Sequence, residues 1–424
     1  MVVTGSCIGI GIFLTPALIA ENLPSPGWIM VVWLMGGIST LCAAFTFGEL
    51  ASRYPDKAGM YYWLKEAYGD FWGFLFGWFY ITVLVSGAIA AISLGFAQYA
   101  NEVFPGAVDR LGFKGTAAVL ISIICVVNCI GLRWGDWSTR ILTLLKAGGL
   151  LLIVGVGLAL RIEEPEFHLQ LVSSESDGSL VRRLGMAFAG VSFSYAGIQY
   201  ASFLAVESRN AIRTIAWGMT LGVMLVSLLY LLTNYAYLLL IPVQVMALSE
   251  VPAAAAISVT GFIPDSVVPL VIMVSAAGTV AAFTLAAPRM YQSMAEEQLF
   301  FAIFRSKHSR FQTPVHGIII QSVWAVFWVL FWGTFAGVLT HLVITNLMFM
   351  VSAAFAIYLF RLRLGVPTGF RSPGYPAVPA VYIVISGCII LTLSISSPLG
   401  LSISALFALF GWGFYRYGLL RNAM

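Results

Sequence analysis

Long apolar blocks dominate this chain. Each approaches the ~20 residues that a helix needs to cross a bilayer, and short polar stretches separate them. The blocks fall near 2–20, 27–50, 71–99, 116–132, 139–160, 184–205, 214–240, 267–290, 315–333, 338–360, 378–396 and 399–418. The pattern predicts an all-α polytopic membrane protein of about twelve spans. The first block is broken near its middle. TGSCIGIGIF, Thr4–Phe13, places Gly5, Gly9 and Gly11 where a helix would otherwise run on. Glycine lets the backbone leave helical geometry and lets another group approach closely. At membrane depth, freed backbone groups survive only against protein or a water-filled cavity. An interrupted span is therefore a candidate binding site. The competing reading is tight helix packing, since Gly5 and Gly9 also form a G-x-x-x-G contact motif.

The sixth block repeats the interruption. FAGVSFSYAGIQYASF, Phe188–Phe203, carries Gly190 and Gly197, with Ser192, Ser194, Tyr195 and Gln199 among apolar residues. Two interrupted spans five spans apart suggest two halves of five. An odd repeat length makes the second half enter from the opposite face. The expected organisation is one transporter domain in three parts. Residues 1–160 form the first inverted repeat, 182–362 the second, and 376–418 two appended spans. The alternative is a pair of unrelated glycine-rich packing helices.

Composition agrees with the pattern. The 424 residues are 60% hydrophobic and only 9% charged, with mean hydropathy +0.93, against about 25% charged in soluble domains. No polar stretch is long enough for a separate soluble domain. The first apolar run reads as a span, not as a cleaved signal peptide, and its short N-terminal side leaves room for a natural start upstream. The five cysteines, Cys7, Cys42, Cys125, Cys129 and Cys388, lie in apolar runs and read as small buried residues, not as a disulfide framework. Lys and Arg set the orientation. With both termini inside, sixteen fall in cytoplasmic loops or ends, and five (Arg110, Lys114, Arg161, Arg182, Arg183) fall outside. The net charge of +4 reflects this bias and not nucleic-acid binding.

The two breaks carry the candidate chemistry. A half-helix N-terminus offers free N–H groups to a carboxylate. A half-helix C-terminus offers free C=O groups to an ammonium. An α-amino acid needs both. The stretch Gly9–Gly11, with Ile8 and Ile10, is expected to hold the carboxylate, and carbonyls around Cys7, Phe193 and Ser194 the ammonium. Lys146 is the charged residue placed well inside a span, which makes it a functional candidate against the alternative of snorkelling to the interface. Buried, its ammonium would fill a cation position between spans. There it would meet carbonyls of the first break and a hydroxyl such as Thr279 or Ser275, and it becomes a proton-coupling candidate. Phe193 and Phe283 are candidate pocket walls. The four histidines show no i, i+4 metal-ligand pair, so no metal or cofactor is expected. The absence of G-x-S-x-G and H-E-x-x-H removes two familiar hydrolase sites.

These motifs resemble the amino acid–polyamine–organocation superfamily, and within it the L-type amino acid transporter branch. IGIGIF, Ile8–Phe13, stands for I-G-S-G-I-F, and RYPDKAGMYYWLKEAYG, Arg53–Gly69, for R-x-P-x-x-G-G-x-Y-x-Y-L. FSYAGIQY followed by ESRNA is similar to F-S-Y-G-G-W-x-Y and E-x-x-N-P. RMYQSMAEEQL, Thr313-Pro314 and GFRSPGYPAVPA match three later motifs. The resemblance implies a LeuT-type fold of five plus five inverted spans with two appended, and sodium-independent transport. It also implies a substrate cradled by the first and sixth spans, a gating Phe193, and Lys146 standing where sodium-dependent relatives hold a cation. Thr279 falls at the matching hydroxyl position. Ile10 replaces a family serine, while Ala196 and Ile198 replace Gly and Trp. Gln199 stands where arginine exchangers carry Glu, which argues against a cationic substrate. The loop after the third span has no cysteine, so no disulfide-linked heavy subunit is expected.

The reading is a plasma-membrane secondary transporter of neutral L-amino acids, an exchanger or a proton symporter, with the lipid bilayer and the substrate as its partners. The expected substrate-binding set is Cys7, Ile8, Gly9, Ile10, Gly11, Phe193, Ser194, Tyr195, Ala196, Gly197, Gln199 and Phe283, with Lys146, Thr279 and Ser275 as the coupling set. Three rivals remain. They are the same fold moving cationic amino acids or polyamines, a polytopic membrane enzyme, and a channel.

Overall fold

The computed structural model describes residues 8–54, 59–131, 136–165, 178–197, 211–261 and 263–417; within these, 136–140, 142, 178–180, 211–216 and 417 are described by backbone alone. Every regular element among the described residues is helical. In chain order they are α1 Gly11–Asn22, α2 Pro26–Arg53, α3 Met60–Tyr68, α4 Asp70–Phe79, α5 Val85–Val103, α6 Pro105–Cys129, α7 Asp136–Leu160 and α8 Gly178–Ser194. Next come α9 Ala211–Leu240, α10 Val243–Leu248, α11 Pro252–Ser258, α12 Val267–Glu296, α13 Val315–Trp332, α14 Phe335–Leu364, α15 Ala377–Ser396 and α16 Pro398–Tyr417.

A π turn, Tyr80–Leu84, joins α4 to α5, so Asp70–Val103 is one continuous span. Ten such stretches are long and apolar enough to cross a membrane among the described residues. The interrupted helices α1 and α8, of 12 and 17 residues, complete the twelve expected. The α6 helix begins earlier than the hydropathy suggests, because Pro105–Leu111 is a separate short helix bent at Gly112, whose φ of 70° suits glycine. Gly333, left-handed at φ 70°, ends α13. The Thr334 hydroxyl then caps α14 by accepting the Gly337 N–H at 3.2 Å.

The Asp70–Val103 span is the central column. Of its apolar window 94% is buried, against 22% for α16 at the periphery. α5 packs against α6, α12, α13 and α14, while α1 packs against α8. The four described cysteines are unpaired. Cys42, Cys125 and Cys129 are half-buried and Cys388 is exposed, which corrects the expectation that all are buried. On a lipid-facing helix an apolar thiol needs no protein cover.

One end of the bundle is held by charge. Glu49 is fully buried in α2 and accepts from Arg361 Nε and Nη2 of α14 at 2.9 and 2.6 Å, and from the Ser372 backbone N–H at 2.7 Å. Arg361 also lies over the Tyr375 ring at 3.7 Å. At the same end Lys65 of α3 bonds Glu297, just past α12, at 2.9 Å. Removing one partner of a buried ion pair leaves an uncompensated charge, at about 3–5 kcal/mol. Glu49→Ala is therefore expected to lower the melting temperature of the detergent-solubilised protein strongly. Glu21→Ala, on the exposed end of α1, should leave it unchanged. Equal melting of the two variants would show that the Glu49 network carries no such stability.

Candidate functional site

The first break is a bend at residues 8–10, from which α1 starts at Gly11. The second is the turn Tyr195–Gly197, into which α8 runs. The two helices lie antiparallel. At one end Thr15 Oγ1 and Ser194 Oγ share a hydrogen bond at 2.9 Å, and at the other Arg183 donates to the Asn22 carbonyl at 2.7 Å. The N-terminus of α1 therefore sits beside the C-terminus of α8. Gly11 makes this approach possible. A Cβ there would lie 2.9 Å from Ser194 Cα and 3.2 Å from the Phe193 ring. At Gly11 close packing and an open helix end are one arrangement and not alternatives.

A cavity of about 50 Å³, counted as space open to the centres of water molecules, lies at this junction. The breaks line it with Gly9, Ile10, Gly11, Ser192, Phe193, Ser194, Ala196 and Gly197. Leu84, Ala88 and Ile92 come from α5 and its π turn, Thr279 and Phe283 from α12, and Leu342, Val343 and Asn346 from α14. None of these carries a charge. Helix-end N–H groups such as those at the start of α1 suit a carboxylate. The α8 carbonyls are partly engaged already. Phe193 O accepts from the Ala196 N–H at 3.1 Å, and Ser194 O from the Tyr230 hydroxyl at 3.2 Å. Each carbonyl keeps a second lone pair for an ammonium.

Lys146 is buried, 5% exposed, and donates from Nζ to Thr279 Oγ1 at 2.7 Å. Thr279 donates on to the Ser275 carbonyl at 2.9 Å. The ammonium thus stands directly behind a hydroxyl that lines the cavity, and it does not snorkel. Ser275 takes part through its backbone, not through its hydroxyl as expected. Of the expected link from Lys146 to carbonyls of the first break, residues 8–10 show none; the earlier part of that break, with Cys7, lies outside the described residues, as does Gln199.

Two expected wall residues lie elsewhere. Tyr195 turns away from the cavity and packs on Trp33 and Tyr230, with ring centroids 6.1 and 5.1 Å apart. It borders a second cavity between α2, α8, α14 and α15. Ile8 is buried but does not line the first cavity. Phe193 lies edge-on to Phe335 at 5.5 Å, beside the cavity. Sequence reasoning missed the walls from α5 and α14. Asn346 had a signal, an amide inside an apolar span. Leu84, Ala88, Leu342 and Val343 had none, because an apolar residue facing a cavity reads like one facing lipid.

Comparison with known proteins agrees with this geometry. The family described as amino acid permease matches residues 1–416. The serine/threonine exchanger SteT of Bacillus subtilis is 29% identical, over 99% of this chain and 95% of that protein. The human cystine/glutamate transporter is 27% identical over 75% of this chain and 64% of its own length. The human Asc-type amino acid transporter 1 is 27% identical over 75% of this chain and 62% of its own. With two interrupted helices meeting at an uncharged cavity, and a family match over nearly its whole length, the chain belongs to the amino acid permease family and is a multi-pass amino acid transporter, not an enzyme.

Proposed function

We propose that the protein carries small neutral L-amino acids through a membrane by alternating access, without sodium, as an exchanger or a proton-coupled symporter. One observation carries the reading. The N-terminal end of α1 and the C-terminal end of α8 meet at a cavity whose described lining has no ionised side chain. The zwitterion is met by helix ends, so its side chain faces only apolar groups, hydroxyls and an amide. A cationic amino acid or a polyamine would want a carboxylate there, and none lines the cavity among the described residues. At roughly 10–15 Å³ per water, the cavity holds a few waters, the scale of a small side chain. The relative named as a serine/threonine exchanger fits that size.

The same reading takes residues 1–160 and 182–362 as inverted repeats, with 376–418 appended. Both termini are read as cytoplasmic, in a plasma membrane; the Lys and Arg bias, by which the end with Glu49 and Lys65 faces inside, supports that orientation. Lys146 acts as the fixed cation that makes sodium unnecessary. No disulfide-linked subunit is required.

Purified protein in proteoliposomes is expected to take up labelled serine saturably. Alanine and threonine should compete and arginine and putrescine should not; putrescine uptake indifferent to alanine would refute the reading. Gly11→Leu should abolish substrate binding, since its side chain must enter the space held by Ser194 and Phe193. Native affinity in a correctly inserted Gly11→Leu protein would move the site elsewhere.

Lys146→Ala leaves the Thr279 oxygen without its cationic donor in a low-dielectric site, a loss of about 1–3 kcal/mol. That shifts a conformational equilibrium roughly five- to 150-fold when one state alone makes the contact. Turnover should fall well beyond any loss of inserted protein. Near-native turnover of the variant, or strict sodium dependence of the native protein, would exclude Lys146 as the built-in cation.

A further inference from the structure

The α13 helix contributes nothing to the cavity lining, yet its Trp328 contacts the two segments that carry wall residues, the π turn before α5 and the start of α14. The side chain is 1% exposed. Its Nε1–H donates to the Thr82 carbonyl at 2.6 Å. Thr82 lies in the π turn, two residues before Leu84 and six before Ala88, both in the cavity wall. The other face of the arrangement is His341, whose ring centroid is 5.0 Å from that of Trp328. His341 directly precedes the wall residues Leu342 and Val343, and its Nδ1 is hydrogen-bonded to the Gly400 carbonyl at 3.1 Å.

A π turn holds one residue more than an α turn. At 3.6 residues per turn, that extra residue rotates α5 by about 100° relative to α4. The turn therefore sets which face of α5 meets the cavity. Leu84, Ala88 and Ile92, spaced i, i+4, i+8, are that face. A widened turn also splays its carbonyls, and side chains receive two of them. Ser86 Oγ donates to Ile81 O at 2.9 Å, and Trp328 donates to Thr82 O. The α5 and α14 walls meet where a Cβ on Gly87 would lie 3.4 Å from Leu342, so a rotation of α5 is transmitted to α14.

We propose that Trp328 is a positioning residue for substrate selection. Its indole N–H pins the π turn and so fixes the wall of Leu84 and Ala88, while its ring backs the adjoining α14 wall through His341. The inference rests on reading the cavity as the substrate site.

The test is serine uptake in proteoliposomes, with alanine and leucine as competitors. Trp328→Phe keeps the ring and removes the donor. It should raise KM about tenfold, keep the saturating rate within twofold, and shift the alanine-to-leucine competition ratio about tenfold. Ser86→Ala, which removes the other donor to the turn, should move KM and the ratio in the same direction by a smaller factor. Trp324→Phe, one turn away on α13, should change neither. Native KM and native ratio in both Trp328→Phe and Ser86→Ala would overturn the proposal. So would a fall in saturating rate alone, the signature of a packing residue. Should Trp328→Phe not assemble, the KM and ratio of Ser86→Ala decide. If Gly11→Leu abolishes binding while these variants stay native, this inference fails and the cavity reading stands; if Gly11→Leu binds normally, both fail.

Discussion

A helix that stops inside hydrocarbon leaves up to four N–H or C=O groups without partners in the helix, and no water is there to take them. Much of this structure answers that constraint. The α1 and α8 helices stop at the same depth and lie antiparallel, so the donor end of one faces the acceptor end of the other. Thr15 and Ser194 tie them, and Gly11 removes the Cβ that would hold them apart. Tyr230 and the Ala196 N–H satisfy part of the α8 terminus. Both helix ends border the cavity, where the proposed zwitterionic substrate would supply complementary groups.

The rest of the polar chemistry is sorted by depth. Ionised pairs stand at the end of the bundle, where Glu49 holds Arg361 and Lys65 holds Glu297. Deeper in, neutral groups do the linking. Tyr291 donates to Gln321, Thr345 bonds Ser404, and Tyr99 reaches the Phe13 carbonyl. Among the described residues Lys146 is the exception, a buried ammonium held by a threonine hydroxyl. A charge at that depth is expensive. Its position behind Thr279 places its charge beside the cavity.

Particular residues show how much is legible along the chain. The spans can be read because bilayer thickness demands about 20 apolar residues in a row. The breaks can be read because glycine at membrane depth has few uses. Lys146 stands out because a lone cation in an apolar run has no bland explanation beyond snorkelling. The direction of Tyr195 cannot be read, because a turn rotates the side chains it carries, and their direction depends on the space that Trp33 and Tyr230 leave open. Ser275 suggests a hydroxyl contact by its residue type, whereas the geometry uses its carbonyl.

The sequence by itself determined the fold class, the number of spans, the two interruptions and the buried lysine, since each comes from local chemistry set against a fixed solvent thickness. Only the tertiary structure decided between Thr279 and Ser275 as the hydroxyl that meets Lys146, and showed that Leu84, Ala88, Leu342 and Asn346 close the cavity's walls. Those facts depend on which faces of distant helices come together. In a membrane the lipid-facing and protein-facing sides of a helix are both apolar, so the pattern along the chain carries little record of that choice.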